Sequence, residues 1–121
     1  MEEPKKPTIL IVEDDPVLIK MYTAKFNMEG FHVLSANDGI EGLNMALAQQ
    51  IDCMILDVMM PKMTGVDMLT KLRADERGKN IPTLVLTNLP QKEEAMKLQQ
   101  LGIKEYLVKA NLTPSEIVAK V

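Results

Sequence analysis

Five short runs of aliphatic and β-branched residues punctuate the chain: TILIV (8–12), FHVLSA (31–36), DCMILD (52–57), PTLVLT (82–87) and EYLVK (105–109). Each is followed by a segment whose apolar residues recur at helical spacing. Strand and helix alternating in this way demand right-handed βαβ crossovers, so the fold class is α/β, a doubly wound parallel sheet of five strands covered on both faces. The strand order 2-1-3-4-5 is adopted as the common rule for such sheets and is not read from these residues. Under that rule a ligand site belongs beyond the carboxyl ends of the first and third strands, where the winding direction reverses.

Caps and breakers fall where this alternation needs them. After the polar, proline-punctuated tail MEEPKKP (1–7), the domain is expected over 8–121. Asp15 is a good N-cap and Pro16 suits the first helical position, with Leu18, Met21, Tyr22 and Lys25 along one face and a stop near Gly30. Asn37 or Asp38 caps a helix carrying Ile40, Leu43, Ala46 and Leu47. The loop VMMPKMTG leads into a helix with Val66, Leu69 and Leu72, and QKEEAMKLQQLG (91–102) forms the next, closed by glycine. Thr113 or Ser115 opens a short last helix ending at Val121.

A chain of 121 residues makes one domain with a real core. No apolar run approaches the roughly twenty residues of a membrane span, and nothing reads as a signal peptide. The net charge of −3, the scattered Lys and Arg and the absence of Trp argue against a nucleic-acid surface. Cys53 stands alone, so neither a disulfide framework nor a zinc cluster can form, and a reducing, cytoplasmic setting is expected. Cys53 and most of the ten Met are read as packing residues, and His32, with no acid or nucleophile near it in sequence, as structural.

The stretch IVEDDP (11–16) crowds Glu13, Asp14 and Asp15 behind the first strand, and Asp57 ends the third. Asp15 is accounted for as a helix cap. Glu13, Asp14 and Asp57 would then share one crevice and repel one another by several kcal/mol at low dielectric, unless a cation lies between them. Oxygen-only ligands, few in number and with room for water, favour Mg²⁺ over zinc. Thr87 and Lys109, at the ends of the fourth and fifth strands, belong to the same edge. A hydroxyl, an ammonium and a metal together neutralise a phosphoryl group carrying about two negative charges. The nucleophile is then Asp57, a carboxylate that accepts a phosphoryl group as an acyl phosphate.

These residues resemble the response-regulator receiver domains of two-component signalling, a flavodoxin-like (βα)5 fold. The likeness covers nearly the whole chain: the acidic pair Glu13 and Asp14, the stretch DVMMPKMTG with Asp57, Met60, Pro61, Met63 and Gly65 at the family's spacing, Thr87, and YLVK with Tyr106 and Lys109. The resemblance implies that Asp57 takes its phosphoryl group from a histidine kinase or a phosphotransfer phosphohistidine. It implies Mg²⁺, with Mn²⁺ as a substitute, held by Asp14, Asp57 and the backbone carbonyl of Met59, with Glu13 assisting through water. It also implies that Thr87 moves toward the phosphoryl group while Tyr106 repacks inward, changing the face of helix four, strand five and helix five for an unidentified downstream protein. Such a domain catalyses its own phosphorylation and dephosphorylation and has no separate turnover substrate.

Three features depart from the family's pattern. Ala110 follows Lys109 where the family usually has a proline, often after a cis peptide. A cis bond before a non-proline residue costs about 2.5–4 kcal/mol, which leaves this loop either trans or strained. Asn88 stands after Thr87 where a small residue is general, so it either narrows access to Asp57 or adds a hydrogen bond to the phosphoryl group. Met59 and Leu89, two residues beyond Asp57 and Thr87, are both apolar and cannot orient an attacking water, which predicts slow autodephosphorylation.

Other functions fit less well. A flavodoxin-like electron carrier needs a Ser, Thr and Gly-rich loop after strand one, whereas EDDP repels phosphate in the absence of metal. The common aspartate-nucleophile phosphatases carry a second Asp that is missing after Asp57. The serious alternative is a receiver-like interaction module that works without phosphorylation. No residue identifies the cognate kinase, the output partner or a phosphorylation-linked homodimer, and either a stand-alone regulator or a receiver cut from a longer protein fits this sequence.

Overall fold

In a computed structural model, which describes residues 6–88 and 90–121, the five apolar runs become strands β1 (Thr8–Val12), β2 (His32–Ala36), β3 (Cys53–Asp57), β4 (Thr83–Thr87) and β5 (Glu105–Val108). They pair in parallel in the order β2-β1-β3-β4-β5. Helices α1 (Pro16–Met28), α2 (Gly39–Ala48), α3 (Gly65–Arg73), α4 (Lys92–Gln100) and α5 (Pro114–Lys120) follow the strands in turn.

Alternate residues of each strand feed opposite cores. Leu10, Val12, Met54, Leu56 and Val85 pack with Ala46 of α2, Met68, Leu69 and Leu72 of α3 and Leu98 of α4. Ile9, Ile11, Ile55, Leu84 and Leu86 pack on the other face with Tyr22 and Phe26 of α1 and Ile117 of α5. Each such side chain contributes about 1.5–3 kcal/mol through burial, and the period-2 alternation fixes the register because a one-residue slip would exchange the two cores.

The elements start and stop for local reasons. Asp15 Oδ1 accepts the Val17 amide at 2.9 Å and Pro16 opens α1. Asp38 rather than Asn37 caps α2, and Thr113 rather than Ser115 caps α5 through a reciprocal box with Glu116. Beyond α4, Gly102 adopts φ 76°, the left-handed conformation that closes a helix at little cost to glycine. Gly65 is needed for a different reason: a Cβ there would lie 2.6 Å from the Asp57 carbonyl oxygen, so only glycine lets α3 begin against the end of β3.

Several sequence expectations are corrected. The inward row of α1 is the partly buried Leu18 with the buried Tyr22 and Phe26, an i, i+4 ladder, while Met21 points outward at 43% exposure. Ile40 is likewise exposed at the start of α2. Phe31 is not in β2: its ring meets Phe26 edge-on at 5.2 Å and its amide bonds back to the Phe26 carbonyl, closing the turn after α1. Asp52 and Pro82 also fall just outside their strands, and Asp52 accepts the Thr8 amide through its side chain. Lys109, expected as the last residue of the fifth strand, opens a 3₁₀ turn, Lys109–Asn111.

Candidate functional site

The crevice lies at the carboxyl edge of the sheet, where β1 and β3 are adjacent. Glu13 follows β1 directly, its amide still bonded to the Ala36 carbonyl of β2 at 3.1 Å, and its side chain is 2% exposed. Asp57 ends β3 and is 3% exposed. Asp14 is the solvent-facing member of the group. Carboxylate oxygens of Glu13, Asp14 and Asp57 lie within 4.8 Å of one another. Asp15, the third acid of the run, turns away into the α1 cap.

Among the described residues one cation meets this cluster. Lys109 Nζ donates to Glu13 Oε1 at 2.7 Å and Oε2 at 3.1 Å, and lies 3.3 Å from Asp57 Oδ1. The peptide after Lys109 is trans, as are all those of the described residues, and the 3₁₀ turn aims the ammonium into the crevice. The Met59 amide adds a hydrogen bond to Asp57 Oδ1 at 3.3 Å, because the loop after β3 curls back, with the Gly65 amide on the Val58 carbonyl at 2.9 Å. Lys62, in that loop, holds a left-handed φ of 70° and pairs with Asp38 at 3.4 Å.

With every carboxylate ionised, three against one ammonium would leave the cluster two charges negative. Burial, reinforced by Asp57, pushes the Glu13 carboxyl up to about 8. Partial burial and the Asp57 charge raise Asp14 as well. Burial alone would lower Lys109, but its hydrogen bond to Glu13 and the charges of Asp57 and Glu13 outweigh that and hold it above its ordinary value. The ammonium therefore keeps its charge, and a proton taken up by the buried pair resides on Glu13. Tyr22, buried under α1, is raised to about 12 by desolvation and then by the charges of Glu13, Asp57 and Asp15. An oxygen-only set in excess negative charge is chemically suited to a divalent cation.

Thr87, at the end of β4, is 1% exposed. Tyr106, half-buried in β5, donates to Glu94 Oε1 of α4 at 2.7 Å and accepts the Gln91 amide at 3.3 Å. Asn88 and Met59 are exposed beside the crevice, Met59 at 61%. Leu89 lies outside the described residues. The structure thus gathers Glu13, Asp14 and Asp57 within 4.8 Å of one another, with Lys109 on Glu13 and Asp57, Thr87 at the end of β4 and Tyr106 within β5. Sequence reasoning missed Glu13 as the first partner of Lys109 and Glu94 as that of Tyr106. The two pairings span 96 and 12 residues, and no local spacing announces either.

The family model for the response regulator receiver domain matches residues 9–121. The chain belongs to that family. This receiver domain of two-component signalling is 39% identical over 103 residues to the DNA-binding dual master transcriptional regulator RpaA of Synechocystis, a match covering 85% of this chain and 43% of RpaA. The receiver therefore spans less than half the length of that relative. Chemotaxis protein CheY4 of Vibrio cholerae is similar in structure, with a TM-score of 0.87, 29% identity and 95% of each chain covered. So is the receiver domain of sensor histidine kinase PA1611 of Pseudomonas aeruginosa PAO1, solved with a magnesium ion coordinated in its active-site cleft, at a TM-score of 0.83, 28% identity and coverage of 95% of this chain and 93% of that one. In this receiver no helix among the described residues is long and apolar enough to cross a membrane.

Proposed function

We propose that this receiver, running from residue 8 to 121, is a phosphoacceptor whose nucleophile is Asp57. The observation that carries the reading is a carboxylate buried at a strand end against two further carboxylates and one ammonium. Asp57 attacks the phosphorus of a phosphohistidine, the P–N bond breaks, and the histidine leaves as the neutral imidazole once it has gained a proton. Asp14, Asp57 and the Met59 carbonyl, with Glu13 assisting through water, would hold a divalent ion, Mg²⁺ or in its place Mn²⁺, whose charge would offset that of the carboxylates. Lys109, released in part from Glu13, pairs with a phosphoryl oxygen, and Thr87 donates to another.

The donor is a histidine kinase or a phosphotransfer domain, in the reducing cytoplasm that suits a lone half-buried thiol. As Thr87 moves toward the phosphoryl group, Tyr106 repacks inward and gives up its bond to Glu94. The face of α4, β5 and α5 then changes, and a downstream protein or a second copy of the receiver reads it. Borohydride reduction after acetyl phosphate treatment with Mg²⁺ tests the acceptor: an acyl phosphate at Asp57 becomes homoserine in the peptide spanning 52–62. Homoserine at another position would take the acceptor role from Asp57, and no homoserine at all would support an interaction module that works without phosphorylation.

A further inference from the structure

Arg73 closes α3 with its guanidinium half-buried, and no carboxylate among the described residues pairs with it. Its donors go instead to backbone and hydroxyl oxygens of three other segments. Nε donates to the Leu101 carbonyl at 2.8 Å, Nη1 to the Gly78 carbonyl at 2.8 Å, and Nη2 to the Gly102 carbonyl and the Thr83 hydroxyl, both at 3.2 Å. Leu101 caps the C-terminus of α4, and Gly102 follows it. A helix C-terminus leaves carbonyls unsatisfied and carries partial negative charge, so one cation both bonds and neutralises that end. Thr83, the first residue of β4, and Gly78 tie the same guanidinium to the sheet and to the loop before it.

The other end of α4 is held differently. Its N-cap, Gln91, makes no side-chain cap bond, and Pro90 before it is exposed. Among the described residues the bonds reaching it from β5 run through one atom, the Tyr106 hydroxyl, to the Gln91 amide and the Glu94 carboxylate. The one buried residue of α4 is Leu98, next to the Arg73 end.

We infer that Arg73 is a positioning residue that anchors the C-terminal end of α4, so that the helix pivots there while its first turn follows Tyr106. Nine residues make a lever of about 13 Å, and a rotation of about 10° at the anchor moves the first turn by about 2 Å. The anchor stands without any phosphoryl chemistry; the pivot rests on the proposed phosphorylation of Asp57.

Amide hydrogen exchange on the full chain tests both parts. The Leu101 and Gly102 amides are bonded within the last turn of α4, to Lys97, Leu98 and Gln99. In the unphosphorylated Arg73→Met variant their exchange should quicken at least tenfold relative to residues 93–96, with Arg73→Lys, which keeps the cation, falling between. A uniform change along α4 would mark Arg73 as merely structural and overturn the anchor, as would no change. Should Arg73→Met fail to fold, Arg73→Lys against the parent protein decides by the same ratio. With acetyl phosphate and Mg²⁺, the parent protein should change exchange at 92–96 and stay within twofold at 98–102; equal changes at both ends overturn the pivot. If no phosphoryl group is incorporated, the proposed function fails while the anchor is still judged by the unphosphorylated variants.

Discussion

Lys109 Nζ sits 2.7 Å from Glu13 Oε1 and 3.3 Å from Asp57 Oδ1, so in this state the ammonium serves the neighbouring acid first and the proposed nucleophile second. Both side chains of the closer pair are nearly closed to water, 10% exposed for Lys109 and 2% for Glu13.

Removing one partner of a buried pair leaves the other uncompensated, so Lys109→Met should destabilise the metal-free protein by about 3 kcal/mol. Glu13→Gln removes one of three mutually repelling carboxylates and should cost under about 1 kcal/mol, with the double variant recovering part of the Lys109→Met loss. Urea unfolding in chelator reads all three. A Glu13→Gln variant as unstable as Lys109→Met would contradict this account of the charges.

The pH dependence has an unusual sign for a carboxylate. The Glu13 carboxyl is pushed up to about 8 from 4.5, so between those values the folded state binds more protons than the unfolded chain, and stability falls as pH rises. Asp14, also raised, acts in the same direction. Melting temperatures in chelator should therefore drop from pH 5 to pH 8, and Glu13→Gln should flatten the trend. Mg²⁺ should have little effect at pH 5 and a large one at pH 8, because the ion needs the deprotonated ligands. A chelated protein that gains stability across this range would refute the assignment.

Much of the fold was legible because its signals are local. Asp15 and Pro16, or Thr113 with Glu116 three residues on, announce helix starts within four residues. The carboxyl ends of the first four strands were equally plain, and with the general sheet order they brought Glu13, Asp14 and Asp57 together. What failed depended on distant packing. Met21 and Phe26 are both apolar residues of α1, and only the position of the sheet decides that Phe26 faces it. Arg73 looks like any arginine in a charged segment, LRADER, until α4 brings two carbonyls to its guanidinium.

The bond from Tyr106 to Glu94 at 2.7 Å joins a half-buried phenol to a half-buried carboxylate. Tyr106→Phe should cost about 1 kcal/mol, Glu94→Gln less, and a double-mutant cycle should return a coupling of at least about 0.5 kcal/mol. Additive effects would mean that the bond contributes nothing to holding α4.

Once phosphorylated, the receiver should lose its phosphoryl group slowly, since the thioether of Met59, 61% exposed at the crevice, cannot orient a water. Met59→Asn combined with Leu89→Gln should shorten the acyl phosphate half-life by about tenfold or more, because a polar side chain can position the attacking water. An unchanged half-life would sink this idea.

Intact mass after incubation with acetyl phosphate, with and without Mg²⁺, for the parent protein and Asp57→Asn decides whether Asp57 is the acceptor. The parent protein should gain about 80 Da, the mass of one phosphoryl group, only with Mg²⁺, and the variant should gain nothing. An adduct that persists in Asp57→Asn, or none under any condition, would contradict that role.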